Sequence, residues 1–222
     1  MKLRILILLL PIALLHNTVL HAQEQDPEPR SLFGSGHERA NGGWGGPAVA
    51  LTEVMGTEAL LVGLHAGWLI DHRFTLGVAG YGLVTDVPNQ AYDAYLLESG
   101  RILNQGSQFR MGYGGLLLEP IIAYKSPVHI SLPIIVGAGG CAYETYGPRP
   151  DDFDPETHDY RSEGQAFFVL EPGVEVELNL VRMVRIGVGA SYRYTTDIDL
   201  PETPTDALRG FNTSLTLKVG RF

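Results

Sequence analysis

Six charged residues occupy positions within apolar, alternating segments of the C-terminal half of the chain. They are Glu171, Glu175, Glu177, Arg185, Arg193 and Lys218. Carboxylates and cations enclosed together in a protein must pair, because a lone buried charge is costly. We therefore expect a packed ionic and hydrogen-bonded network, whereas an open row of the same charges would line a narrow path for ions. If residues 180–182 form the turn between two of these segments, Glu177 stands opposite Arg185.

A second concentration of charge lies between residues 146 and 163. Its acidic side chains include Asp151, Asp152, Asp154, Glu156 and Asp159. Several carboxylates close together can bind a divalent cation, but the spacing lacks the glycine and terminal glutamate of an EF-hand. We expect a solvated acidic loop, with no metal site and no cofactor.

Nucleophilic catalysis would need a histidine that activates a nearby hydroxyl. His65 falls in the middle of an alternating segment, His72 in a short connection, and His129 at the start of another segment. Only His158 lies in a long connection, and no serine is aligned with it by a motif. We identify no catalytic residue and do not expect an enzyme.

The elements that position these residues are eight segments of alternating apolar character. They span residues 44–54, 58–70, 73–84, 108–124, 128–143, 165–180, 183–196 and 209–222. Connections after the second, fourth and sixth segments are short, whereas those after the third, fifth and seventh are long and acidic. The pattern predicts an all-β fold, an eight-stranded antiparallel up-and-down transmembrane β-barrel, with all long loops at one end.

Aromatic residues concentrate at the ends of these segments. The predicted belts are Trp44, Trp68, Phe74, Tyr124 and Phe222 at the short-turn end and Phe168, Tyr192, Tyr194 and Phe211 at the long-loop end. Two aromatic belts around an aliphatic band are typical of a barrel in the outer membrane. A soluble barrel with aromatic rims is the alternative.

The N-terminus predicts export. Lys2 and Arg4 precede an apolar run over residues 5–15, which indicates a signal peptide over residues 1–22. Residues 23–43 are polar and aperiodic, which predicts a flexible periplasmic segment before a barrel at 44–222. The lone Cys141 cannot form an internal disulfide, and a net charge of -9 argues against nucleic acid as a partner.

The stretches GGWGGPAVALTEV, GLHAGWLIDHRFTLGVAGYGLV and LTLKVGRF carry a family resemblance. The chain resembles the small eight-stranded outer-membrane barrels of Gram-negative bacteria over residues 42–222, and more narrowly uncharacterised barrel proteins of the Bacteroidota. The resemblance implies insertion by the barrel-assembly machinery, which recognises the last strand and its terminal aromatic. Phe222, however, falls on the same face of the last strand as Lys218, not on the face of Val219. A bulge near Gly220 would be needed to turn it outward.

Together these patterns predict a monomeric outer-membrane barrel in contact with lipid and lipopolysaccharide. Its interior would be filled by side chains, and its acidic extracellular loops would serve a structural or surface-interaction role. Three alternatives stay open: a narrow solute channel, a lipid-A-modifying enzyme, or a soluble secreted ligand-binding barrel.

Overall fold

A computed structural model describes residues 41–146 and 164–222. The predicted signal peptide, residues 23–40 and the acidic loop with Asp151, Asp152, Asp154, Glu156 and Asp159 lie outside the described residues. The strands are β1 (Asn41–Val54), β2 (Thr57–Ile70), β3 (Phe74–Leu83), β4 (Gln105–Ile122), β5 (Val128–Ser131), β6 (Ile134–Tyr146), β7 (Gly164–Val181), β8 (Val184–Thr195) and β9 (Gly210–Arg221). One helix, α1 (Gln90–Glu98), lies between β3 and β4.

The strands form a closed antiparallel ring. Consecutive strands pair with each other, except β5 and β6, and β1 pairs with β9 to complete the circle. Strands β5 and β6 both lie between β4 and β7, so they occupy a single position. The ring therefore has eight positions, which confirms the predicted eight-stranded up-and-down fold.

The predicted continuous strand over residues 128–143 is wrong, because it breaks at Pro133. Proline has no N–H group for the sheet ladder. At the break, the Leu132 N–H donates to the Pro120 carbonyl at 2.9 Å, and the Gly173 N–H donates to the Pro133 carbonyl at 2.8 Å. These bonds hold the two pieces in line between β4 and β7.

The connections alternate as their lengths predict. At one end, here called the turn end, lie the short connections 71–73, 123–127 and 182–183. The opposite end, the loop end, carries the connections 84–104 and 196–209 and the tight turn between β1 and β2. Met55 and Gly56 in that turn have φ values of +51° and +75°, the backbone that a two-residue hairpin turn requires.

The ring is apolar outside and polar within. Every strand presents exposed aliphatic side chains on its outer face, among them Leu51, Leu64, Val78, Leu116, Ile130, Val136, Val174, Val188 and Leu215. Among the described residues, no helix is long and apolar enough to cross a membrane.

At the loop end, α1 and the segment 196–209 pack onto inward-facing aromatic residues. The helix begins after Asn89, whose side chain accepts hydrogen bonds from the N–H groups of Ala91 and Tyr92. Tyr92 stacks on Tyr143 of β6 with ring centroids 3.8 Å apart. We call this buried group the apolar lid: Val87, Tyr92, Leu96, Phe109, Tyr143, Ile198, Leu200 and Leu208.

Candidate functional site: the polar interior of the barrel

Lys218 lies at the centre of a buried ionic cluster. Its Nζ is 2.5 Å from Glu119, 2.8 Å from Glu177 and 2.9 Å from Glu175, in each case from the Oε1 atom. The lysine comes from β9, Glu119 from β4 and the other two carboxylates from β7, so the contacts cross the lumen. Because an ammonium group has three protons, one lysine can serve three carboxylates.

Glu177 extends this cluster toward β5 and β8. Its Oε2 lies 3.0 Å from His129 Nε2 and 3.6 Å from Arg185 Nη1. These side chains and the Lys218 cluster are called the lysine tier: Glu119, His129, Glu175, Glu177, Arg185 and Lys218.

The predicted register between Glu177 and Arg185 is wrong. The turn consists of residues 182 and 183, so Glu177 stands opposite Gly187 and Arg185 opposite Asn179. The ladder also shifts register between Asn179 and Val181. The carboxylate and the guanidinium still meet, because both point into the lumen and the arginine spans the two-residue offset.

Two residues predicted in the aromatic belts face the lumen instead. Trp44 is only 6% exposed, and its ring centroid lies 4.6 Å from Lys218 Nζ. Phe222 packs against Arg185, whose Cζ lies 3.8 Å from the ring centroid. The β1–β9 pairing has no register shift through Gly220, so Phe222 stays on the inward face of the strand, with Lys218. Both belt assignments are therefore wrong.

The remaining predicted belt residues lie at the two ends of the ring. Trp68, Phe168, Tyr194 and Phe211 are exposed on the outer face, and Phe74, Tyr124 and Tyr192 are partly exposed. Tyr192 packs edge-on against Phe211 with centroids 4.8 Å apart.

A second polar cluster lies nearer the loop end. Glu171 accepts hydrogen bonds from Tyr113 at 2.6 Å, Ser191 at 2.6 Å and Asn212 at 2.8 Å. Arg193 is fully buried and donates to the Leu208 carbonyl, the Asn212 Oδ1 and the Thr52 Oγ1. We call this group the arginine tier: Thr52, Tyr113, Glu171, Ser191, Arg193 and Asn212.

All six charged residues predicted for the interior thus lie inside the ring, but in two groups rather than one. Sequence reasoning missed Glu119, His129 and Tyr113 as members of these tiers, and it left the inward-facing Asn212 out of the predicted network. Glu119 has the inward parity of Leu117 and Ile121 on β4, which was the available signal. The apolar character of that strand obscured it.

The two tiers leave little free space. A cavity of about 30 Å³ lies between them, lined by His65, Tyr81, Glu119, Glu175 and Lys218, among others. That volume holds about two water molecules. Within the described part of the chain, Glu119, Glu175 and Glu177 form the acidic group whose oxygens lie close enough to share a metal ion. The Lys218 ammonium already lies against all three of these carboxylates.

No family model and no curated protein matches this sequence. Three similar solved structures are eight-stranded outer-membrane barrels. Neisserial surface protein A has a TM-score of 0.54 and 13% identity, over 82% of this chain and 99% of that chain. Ail of Yersinia pestis, solved with the heparin analogue sucrose octasulfate, has a TM-score of 0.47 and 11% identity, over 82% and 97%. The N-terminal β-barrel domain of Pseudomonas aeruginosa OprF has a TM-score of 0.44 and 8% identity, over 80% and 96%. At such identity the first of these shows the fold alone.

Proposed function

We propose that this protein is an integral outer-membrane β-barrel with a filled interior, and that it has a structural or surface-interaction role. The observation that carries the proposal is the inverted polarity of the ring. Aliphatic side chains cover the outside of all nine described strands, while Lys218, Arg185 and Arg193 are buried. A soluble barrel would expose a continuous apolar band far larger than the patches that monomers tolerate. Hydrocarbon is the solvent that suits this surface.

The charged residues at the two ends of the ring support an orientation of the barrel in the membrane. The turn end exposes four basic residues, Arg73, Lys125, Arg182 and Arg221, and the described connections there contain one acid, Asp71. A hydrogen bond from the Arg73 guanidinium lowers the pKa of Tyr124 in the same region. Anionic headgroups attract such a basic rim, which favours the phospholipid leaflet on the periplasmic side. The loop-end connections 84–104 and 196–209 contain seven acids and two basic residues, and we place them outside the cell.

Export through the signal peptide at residues 1–22, insertion by the barrel-assembly machinery and a monomeric state are parts of the same proposal. The acidic loop would meet lipopolysaccharide through shared cations. A kinship with Bacteroidota barrels stays a prediction. Because Phe222 packs on Arg185 in the closed ring, we propose that the machinery engages this aromatic before closure.

Two alternatives have less support. A channel needs a continuous path, whereas the tiers leave about 30 Å³ between them and the apolar lid packs at the loop end. A lipid-modifying enzyme needs a histidine at the outer rim, but His65 and His129 are buried in the lumen. His158 lies outside the described residues.

The test is a charged substitution on the outer face. Leu215→Arg puts a guanidinium in the middle of the apolar band, where it costs about 2–4 kcal/mol in a membrane barrel and about 0–1 near the interface. The matched control is Thr213→Arg, on the same face of β9 but closer to the belt residue Phe211. Membrane fractions are run on a denaturing gel, boiled and unboiled.

We expect wild type and Thr213→Arg in the outer-membrane fraction with a heat-dependent mobility shift, and a reduced folded fraction for Leu215→Arg. A wild-type protein found in the soluble fraction would contradict the proposal, as would equal folding of the two variants. Stepped conductance in a planar bilayer, lost on Glu177→Gln, would instead favour the channel.

A further inference from the structure

A groove of about 790 Å³ opens on the outer side of the ring at the loop end. It lies between the β1–β2 turn and the segment 204–210. Its apolar floor is the loop-end edge of the lipid-facing surface, formed by Leu51, Tyr192 and Phe211, and Phe211 is 76% exposed. The volume is in the range of sites that hold small molecules or short peptide segments. We call it the rim groove.

Three carboxylates line the rim groove without a side-chain partner in the described part of the chain. Glu53, Glu58 and Asp206 make no side-chain hydrogen bond or ion pair with any described residue. The one basic residue in the lining, Arg209, is paired with Asp197 and also donates to the Thr195 carbonyl. The groove therefore carries unbalanced negative charge.

Some other acids at the loop end, by contrast, are paired. Asp86 and Glu144 both pair with Arg110, and Asp93 accepts hydrogen bonds from Ser107. In the groove, Glu53 stands directly opposite Glu58 across the β1–β2 ladder. Like charges in that arrangement are destabilising, and a bound cation would remove the repulsion.

We propose that the rim groove binds a cationic amphipathic peptide segment, with its basic side chains on the three carboxylates and its apolar side chains on Leu51, Tyr192 and Phe211. Aromatic faces also attract cations. Lipid phosphates carry the wrong sign for this lining, so charge favours a basic peptide over an outer-leaflet headgroup. The cell-surface position of the groove rests on the proposed function, but binding by the folded protein does not.

The experiment uses the purified full chain in nanodiscs of zwitterionic lipid. The probe is a labelled pentapeptide, Lys-Phe-Lys-Phe-Lys, blocked at both ends, and binding is followed by fluorescence anisotropy. Glu-Phe-Glu-Phe-Glu is the probe of opposite charge. The double variant Glu53→Gln/Glu58→Gln is compared with Glu98→Gln/Asp71→Asn, which removes two exposed carboxylates elsewhere. Since the first pair of changes removes a repulsion, that variant is expected to fold at least as well as wild type.

We expect saturable binding of the basic peptide that weakens with added salt, and no binding of the acidic one. Losing two ion pairs should weaken affinity about tenfold in Glu53→Gln/Glu58→Gln, while the control double variant keeps wild-type affinity. Phe211→Ala should weaken binding at every salt concentration.

Equal binding of both peptides, equal affinity of the two double variants, or binding no tighter than to empty nanodiscs would overturn the proposal. Phospholipid that copurifies with wild type and is lost in Phe211→Ala, but not in Glu53→Gln/Glu58→Gln, would assign the groove to an acyl chain. Surface labelling of intact cells tests location separately. If the purified protein binds the peptide but intact cells are not labelled, the peptide-binding site stands and only its cell-surface position is refuted.

Discussion

Removing the ammonium of the lysine tier tests whether the buried charges hold the barrel together. Lys218→Met keeps the length of the side chain but leaves Glu119, Glu175 and Glu177 without the cation that now lies 2.5–2.9 Å from their oxygens. Removing one partner of a buried ion pair costs about 3–5 kcal/mol. At a slope of about 2 kcal/mol per molar urea, the unfolding midpoint should fall by about 2 M.

The assay is urea unfolding in lipid vesicles, scored by gel mobility of unboiled samples. Fluorescence is less suitable, because Trp44 lies beside the mutated residue. Lys125→Met, an exposed lysine of the turn end, is the matched control and should shift the free energy of unfolding by no more than about 0.5 kcal/mol. Adding Glu119→Gln to Lys218→Met should restore part of the loss, since it removes one of the stranded carboxylates. A loss below about 1 kcal/mol for Lys218→Met would refute a stabilising ionic core.

Three further changes test other parts of the barrel. Bromine-labelled lipid should quench the tryptophan fluorescence of a Trp44→Phe variant, because its remaining Trp68 faces outward. The same lipid should quench the fluorescence of Trp68→Phe much less. Equal quenching of the two variants would contradict the inward position of Trp44. Gly187→Val should lower the free energy of urea unfolding by about 1–3 kcal/mol, because a Cβ there would lie 2.4 Å from a buried carboxylate. Gly82→Val should be tolerated, because a Cβ at that position meets no atom within 4 Å. Equal losses in the two variants would exclude a packing role for Gly187. Asn89→Ala removes the N-cap of α1, which should lower the local stability of the helix by about 1 kcal/mol. Proteolysis of residues 84–104 should therefore increase, while the free energy of global unfolding stays unchanged. Unchanged proteolysis would show that the cap does not secure the apolar lid.

The period-two pattern and the loop lengths were enough to predict the ring. Both signals are local, and each strand satisfies them on its own. The break at Pro133 was visible as a proline inside a strand, yet length alone suggested one continuous segment. Helix α1 was also missed, although Asn89 is a typical N-cap and Tyr92 and Leu96 are spaced for one helix face.

The inward residues were harder to predict, because they depend on parity and on partners far away in sequence. Trp44 shares its face with Ala48 and Ala50, and small inward residues hide which side of a strand is buried. The polar residues form two tiers because Lys218 and Arg193 lie at different positions along the barrel axis on neighbouring strands. A single sequence does not specify these positions.

The β1–β9 pairing has a consequence for how the chain folds. It joins residues between 160 and 178 positions apart, from Thr52 and Asn212 to Gly43 and Arg221. Every other pairing of consecutive strands joins residues closer in the chain, so this seam has the largest loop-closure cost. Lys218 lies on the seam strand, and its carboxylates lie on β4 and β7. A chain that lacks its last strand therefore has both an open edge and unneutralised carboxylates. Closure corrects the two defects in one step, which should make ring formation cooperative and leave no stable partial barrel.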